Sequence, residues 1–336
     1  MASRLTLLAA LTATAALTLA GCAADSGTEN TTASGDGAFP VTIESALGSA
    51  TIEAEPQRVV TIGWGSQDAA LALGVVPVGM QDMSDNTSDG SGILPWDVEP
   101  LGGAEPTLID YSTADVPFEA IAELEPDLIL AVNSGLTQED FDKLSGVAPT
   151  VAYPGKPWLT SWEDQVTIVG QALGKTDEAQ ALVQRTNDLI AQAKADHPEF
   201  AGKTVAFGSG TVADSFNEYL ASDSRVQLLE QLGFTIAPSV PTEGEQFAVQ
   251  VSLENLPSID SDVLVAWYLS DEVKSQLEST PLFAQIPAVQ RGGYVAFTDP
   301  DMVYATSAVT VLSLPWMFDT YLPLLSSAAK GEATTT

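Results

Sequence analysis

FEAIAELEPDLILA, residues 118–131, is followed 135 positions later by LENLPSIDSDVLVA, residues 253–266. Phe118, Ile121, Leu124, Leu128, Ile129 and Leu130 align with Leu253, Leu256, Ile259, Val263, Leu264 and Val265. The pairs Glu119/Glu254, Asp127/Asp262 and Ala131/Ala266 are identical. Each copy reads as a short helix running into a buried strand, because spaced apolar positions give way to an unbroken apolar run. A chain that builds this unit twice, with an acidic residue opening each copy, is expected to contain two equivalent lobes.

Upstream of each copy the grammar repeats. In RVVTIGWGSQDAALALGVVPVG (58–79), Val59–Ile62 predict a strand, Gly63-Trp64-Gly65 a turn and Ser66 a helix cap before Asp68–Leu73. Gly74 then stops the helix and Val75–Val78 predict the next strand. The second lobe opens with KTVAFGSG (203–210), a strand and turn, followed by an insertion, SFNEYLASDS, the helix RVQLLEQLG (225–233) and the strand FTIA (234–237). Strands rich in Val, Ile and Leu that alternate with helices predict an α/β fold with mainly parallel sheets. Residues 161–200 separate the lobes. Ser161 is placed to cap a helix ending near Gly174, and a second helix over 176–195 carries Ala179, Leu182, Val183, Leu189, Ile190 and Ala193 on one face. At 1.5 Å per residue it is roughly 30 Å long, a stiff connector that leaves little room for large hinge motion.

Both ends are set apart from the fold. Arg4, the apolar run Leu5–Leu19 and Leu19-Ala20-Gly21-Cys22 resemble a bacterial lipoprotein signal. The expected product starts at a lipidated Cys22, and an ordinary signal peptide with an incidental cysteine is the competing reading. Cys22 is the chain's single cysteine, which removes disulfides, a cysteine nucleophile and thiolate metal sites. The expected organisation is a signal at 1–21, a Ser/Thr/Gly-rich tether at 22–38, a first lobe at 39–158, connector helices at 159–200, a second lobe at 201–330 and a tail at 331–336. That describes a monomer leashed to the outer face of a membrane. With 45 acidic and 12 basic residues the formal charge is −33, which argues against nucleic acid or anionic lipid as a partner. Beyond the signal the arginines are Arg58, Arg185, Arg225 and Arg291, so a strongly anionic ligand would find few partners.

The stretches 58–79 and 118–130, LTQEDFDKLSGVAPTV, SRVQLLEQLGF, PLFAQIPAVQRGGYVAF and VLSLPWMFDTYLPLL resemble the iron-siderophore substrate-binding lipoproteins of ABC importers. The resemblance runs in the same order over residues 39–326. It implies the class III periplasmic-binding fold, two α/β lobes joined by one long rigid helix, with a ferric siderophore in the cleft and an ABC permease dimer as partner. Iron would arrive inside its chelator, so no cofactor and no protein-held metal are expected. In such proteins glutamates on the exposed lobe ends pair with permease arginines. Glu119 and Glu254 match that position, although a glutamate in a helix's first turn is also favoured by the helix dipole alone.

Ligands of open α/β sheets bind beyond the carboxyl ends of the strands. That rule selects Trp64, Asn133, Tyr153, Trp267, Tyr268 and the loop around Tyr304. Nearby loops add Trp96, Tyr111, Trp158 and Tyr219. Loop aromatics suit a large ligand with a polar rim, the competing reading being rings that plug lobe bottoms. By the resemblance Arg225 would hold oxygens around ferric iron, and a salt bridge with Asp223 or Asp214 is the alternative. Trp162 and Trp316 are expected in the core, and Arg58 and Arg291 in structural roles. A uncharged or cationic hydroxamate complex fits the scarcity of arginine. Cobalamin, haem and a surface role without transport remain open on the same fold.

Three other classes fit poorly. A Ser-His-acid hydrolase has only His197 to draw on, at a helix end, and no Gly-x-Ser-x-Gly elbow, so no enzyme is expected. Gly208–Ala213 matches a dinucleotide glycine pattern but lacks the helix that should follow at once. A bare zinc or manganese receptor would need several histidine and carboxylate ligands.

Overall fold

A computed structural model describes residues 38–111, 115–244 and 246–332. Cys22, the signal, the tether up to residue 37 and the tail residues 333–336 lie outside the described residues. An antiparallel hairpin, β1 (Val41–Ser45) and β2 (Gly48–Ile52), leads into the first sheet. Its elements are β3 (Val59–Thr61), α1 (Ser66–Ala72), β4 (Gly79–Gln81), α2 (Val98–Leu101), β5 (Thr107–Ile109), α3 (Phe118–Glu123), β6 (Leu128–Ala131), α4 (Gln138–Ser145) and β7 (Thr150–Ala152). The strand order is β5-β4-β3-β6-β7 and every pairing is parallel.

Helices α5 (Trp162–Ala172) and α6 (Thr176–Asp196) connect this sheet to the second. The Ser161 side chain accepts from Asp164 N, capping α5 as its sequence predicts, a contact worth about 1 kcal/mol. The second sheet draws on β8 (Thr204–Val212), β9 (Ser215–Tyr219), β10 (Thr235–Ile236), β11 (Ala248–Ser252), β12 (Val263–Tyr268) and β13 (Tyr294–Phe297). Helix α7 (Ser224–Gln231) follows β9; α8 (Asp271–Glu278), α9 (Pro287–Gln290), α10 (Pro300–Ser307) and α11 (Ser313–Ala329) follow β12. Strands β10, β12 and β13 run parallel to β8 or its neighbour, while the β8–β9 and β9–β11 pairings are antiparallel.

Strands covered on both faces read as unbroken apolar runs rather than alternating ones, and β6, β7 and most of β12 are buried residue after residue. One apolar cluster takes Leu128 and Leu130 from the first sheet, Val263 and Val265 from the second, and Val166, Val169, Ile190, Ala193 and Leu325 from α5, α6 and α11. The opposite faces carry their own clusters, around Ile129 and Ile121 in the first sheet and around Leu264 and Leu256 in the second. No helix among the described residues is long and apolar enough to cross a membrane.

Four expectations need correction. Val75–Val78 is not a strand; Pro77 supplies no ladder donor, and β4 forms at Gly79–Gln81 instead. Ser66 is not a cap: Gly65 in the left-handed region occupies that place, and the Ser66 hydroxyl donates to Ile62 O and accepts from Val132 N, both at 3.3 Å. The insertion SFNEYLASDS opens as strand β9, and Gly208-Ser209 lie inside β8 rather than past its end. Tyr304 sits on helix α10, not on a loop.

The repeated aspartate has a structural explanation. Asp127 Oδ2 and Oδ1 accept the backbone N–H groups of Gln57 and Arg58 at 2.7 and 2.8 Å, just before β3. Asp262 Oδ2 accepts Thr204 N at 2.9 Å, at the start of β8. Each carboxylate pins the first strand of its sheet to the repeat strand beside it. The Thr204 N–H holds the Asp262 carboxyl below its ordinary pKa. Asp262→Ala is expected to cost about 1–2 kcal/mol at neutral pH, as loss of a charge-assisted hydrogen bond does, with Asp262→Asn losing less. Because the folded pKa is depressed, the difference should shrink as pH falls through the carboxylate range. Urea unfolding at pH 7 and pH 3.5 checks both statements.

Candidate ligand-binding cleft

The turn after β3 places the first wall. Gly63 has φ of 79°, and a Cβ there would lie 2.6 Å from Asn133 O and 2.9 Å from Ser134 Cβ. Gly65 has φ of 83°, and its Cβ would collide with Gln165 Oε1. Glycine is therefore required on both sides of Trp64 by conformation and by space. The Trp64 backbone N–H donates to Asn133 O at 2.9 Å, which fixes the indole beyond the strand ends. Its ring centroid lies 5.0 Å from that of Trp158 and 5.7 Å from that of Tyr304. Trp158 itself has φ of 61°, a region that bulky residues rarely occupy.

The second wall is built by β9 and α7. Asp223 caps α7, its Oδ1 accepting from Arg225 N at 3.0 Å and its Oδ2 from Arg225 Nη1 at 2.8 Å. The Arg225 guanidinium carbon lies 4.2 Å from the Tyr219 ring centroid, 5.8 Å from Phe247 and 6.0 Å from Trp64. Arg225 is 5% exposed and its Nε has no hydrogen-bond partner. Tyr219 donates to Ser209 Oγ at 3.3 Å and accepts from Trp267 Nε1 at 3.1 Å, so the ring under the guanidinium is fixed in place. Glu218, one residue back on β9, is 5% exposed with Oε1 unpartnered, and burial pushes its pKa up to about 7.

A cavity of about 830 Å³ is lined by Lys156–Leu159 from one side and by Leu220, Ser222, Glu243 and Phe247 from the other, with the buried Arg225 and Tyr219 standing behind that lining. Trp158 also lines a cavity of about 210 Å³ with Tyr111, Ser134 and Asp140. Trp64, Trp267, Tyr268 and Tyr304 line another of about 170 Å³. Asn133 is buried behind the turn, its Oδ1 accepting from Thr160 N at 3.4 Å. Phe247 carries no strand-end signal in the sequence, and only the fold brings its ring over that of Tyr219.

Two predicted rings turn inward instead. Tyr153 packs in the core of the first sheet and its hydroxyl donates to Leu136 O at 2.9 Å. Trp96 is 5% exposed, packs against Trp316 at 5.1 Å, and donates its Nε1–H to Asp68 Oδ1 at 2.6 Å. Both side chains satisfy their polar atoms from distant residues, which a local pattern does not reveal. Trp162 is buried as expected, and Trp316 is half-buried against the core. Arg58 donates to Leu124 O and Glu125 O, and Arg291 to Ser261 O. His197 stacks on Phe200 at the end of α6.

A profile of the family described as Periplasmic binding protein matches residues 59–302, from β3 to α10 and across both sheets. This chain belongs to that family. The Fe(3+) dicitrate-binding periplasmic protein FecB of Escherichia coli is 28% identical over 256 residues, covering 76% of this chain and 81% of that protein. The ferric enterobactin-binding periplasmic protein FepB of Escherichia coli is 27% identical over 267 residues, covering 75% and 82%. Among solved structures, PiaA of Streptococcus pneumoniae in complex with ferrichrome superposes with a TM-score of 0.78 and 34% identity, over 86% of this chain and 99% of that one. The family is one of binding proteins.

A buried acidic pair stands behind the first wall. Asp68 Oδ1 also accepts from Thr310 Oγ1 at 2.5 Å, Asp68 Oδ2 and both Asp97 oxygens lack partners, and so does the Tyr304 hydroxyl. Burial pushes the Asp68 carboxyl up to about 6. Burial, reinforced by the Asp68 charge, holds Asp97 well above its ordinary value. A carboxyl whose folded pKa is raised binds protons that the unfolded chain releases, so stability falls as pH rises from about 4 to about 6 and stays lower above that. Asp97→Asn removes one of the two buried titrating carboxyls and should raise the melting temperature at pH 7.5, by the equivalent of about 1–2 kcal/mol, while changing it little at pH 4. Thermal melts of both proteins at the two pH values measure this.

Proposed function

We propose that this protein is the extracytoplasmic receptor of an ABC importer, anchored through lipid on Cys22, and that it captures a ferric siderophore in the cavity between its two sheets. The observation that carries the reading is the cavity of about 830 Å³ itself, faced by Trp158 and Phe247. The buried Arg225 guanidinium stands behind that lining, 4.2 Å from the Tyr219 ring centroid and 5.8 Å from that of Phe247. Aromatic faces accept the bulk of a chelate. The volume falls in the range of a small-molecule site. The relatives' names cover dicitrate, enterobactin and ferrichrome complexes, so the chelate class has to come from this chain's own charges. Lys156 and Glu243 at the rim oppose each other in sign. The assigned ligand is an uncharged or cationic hydroxamate complex. Tryptophan quenching by ferric trihydroxamates, ferric citrate, a ferric catecholate, cobalamin and haem decides it: sub-micromolar quenching by the trihydroxamate is expected. Saturation by haem or cobalamin alone would overturn the assignment.

Delivery is assigned to Glu119 and Glu254. Glu119 opens α3, entered by the loop that leaves the carboxyl end of β5, and Glu254 opens the 3-10 turn Leu253–Ser258 directly after β11. Because β11 pairs antiparallel to β9 and β9 antiparallel to β8, β11 ends at the carboxyl edge of its sheet. Both glutamates are exposed and so occupy equivalent edges of the two sheets. One acidic contact per sheet matches a permease with two-fold symmetry. Glu119→Arg together with Glu254→Arg is expected to reduce chelate-dependent iron uptake at least tenfold while leaving the quenching affinity within twofold. Loss of affinity instead would place the pair in the binding step.

A further inference from the structure

Beside the 830 Å³ cavity lies a second one, of about 280 Å³, to which the reading above gives no role. Leu159 and Ser222 line both, so the two spaces meet across that pair. The smaller is bounded by Ser161, Trp162 and Glu163 at the start of α5 and by Gln227 and Gln231 on α7. Its only charged lining group among the described residues is the Glu163 carboxylate. That group accepts from Gln231 Nε2 at 3.3 Å and forms no ion pair among the described residues. Partial burial raises its pKa, so its ionised form would gain from a cation brought to it. The two helix starts nearby are already answered, α5 by the Ser161 hydroxyl and α7 by the Asp223 carboxylate. Neither N-terminus therefore calls for an anion in this space. In the larger cavity Lys156 is set against Glu243, which leaves Glu163 as the uncompensated charge of the joined lining.

We infer that the smaller cavity takes the terminal ammonium of a chelate whose iron-binding part fills the larger one, and that Glu163 selects for it. An ammonium offers three donors and no acceptor. Against a carboxylate its hydrogen bond is charge-assisted, roughly twice as strong as a neutral one. In a partly dry pocket the pairing also gains more than at an open surface, where water screens it. The alkyl arm that carries the ammonium passes Leu159, an apolar side chain at the junction of the two spaces. An arm ending in a carboxylate would meet Glu163 as a like charge, with no lysine or arginine among the described lining residues to answer it. The inference rests on the ferric-chelate reading above and deepens it: among uncharged and cationic hydroxamate complexes it assigns those with a terminal ammonium.

Two probes that differ in one group test it: a linear ferric trihydroxamate with a terminal ammonium, and the same chelate with a methyl in the ammonium's place. The full chain and its Glu163→Gln variant are titrated with each by tryptophan quenching at pH 7.5, at 50 and 500 mM salt. Wild type is expected to bind the ammonium form at least tenfold more tightly than the methyl form, with a smaller ratio at high salt. In Glu163→Gln, which keeps the side chain's size and loses its charge, the ratio should fall to within twofold of one. Equal affinity of wild type for the two probes would overturn the inference, and so would a preference that Glu163→Gln retains, since the selecting charge would then lie elsewhere. Should Glu163→Gln fail to fold by circular dichroism, Ser222→Trp at the exposed junction of the cavities blocks the passage and leaves Glu163 in place. It too should lose the preference, and keeping it would overturn the inference. If wild type is quenched by neither probe, the ferric-chelate reading itself fails; if it binds both alike, only the ammonium pocket fails.

Discussion

Two sheets packed on both faces leave their backbone groups no access to water, so every strand must pair along its length and the faces must stay apolar. Side chains that could meet a ligand are thereby confined to the strand ends and the segments just beyond them. The repeat strands β6 and β12 sit inside their sheets rather than at the edges. Their neighbours β3 and β8 are registered against them by the Asp127 and Asp262 carboxylates. From that registration follow the position of the Gly63-Trp64-Gly65 turn on one side and the β8–β9 hairpin carrying Tyr219 on the other. The cleft is thus a product of strand registration, with the aromatic side chains added at its ends.

Within the cleft the forces divide their labour. Ring faces give contact area with little directional demand, and they hold one another: Trp64 touches Trp158 and Tyr304, and Tyr219 stacks with Phe247. The polar contacts are few and fixed by second partners, as Tyr219 is by Ser209 and Trp267. Arg225 is the most constrained of all, clamped by Asp223 and covered by Tyr219.

The alternation of strands and helices, the repeat and the Ser161 cap were legible because each rests on local periodicity or a short side-chain-to-backbone contact. Trp64 was legible for the same reason, since glycines on both sides of an indole after a strand admit few conformations. What escaped depends on distant partners. Trp96 and Tyr153 have the surroundings of loop aromatics in sequence, yet Asp68 and Leu136 O draw their polar ends inward. Residues 215–219 looked like an insertion because their alternation is blurred by Asn217 and the buried Glu218; pairing with β8 and β11 makes them a strand. The aspartates common to both repeats were visible as identities, but their duty toward Gln57, Arg58 and Thr204 appears only when the strands lie side by side.

The apolar cluster that takes side chains from both sheets, α5, α6 and α11 has a consequence for how the chain comes apart. Neither half owns the whole of this interior: the cluster runs from Leu128 and Leu130 through α5, α6 and α11 to Val263 and Val265, and a cut between residues 158 and 200 would sever it. Heat or denaturant therefore meets one cooperative body, and the two halves melt together although the sequence writes them as duplicates.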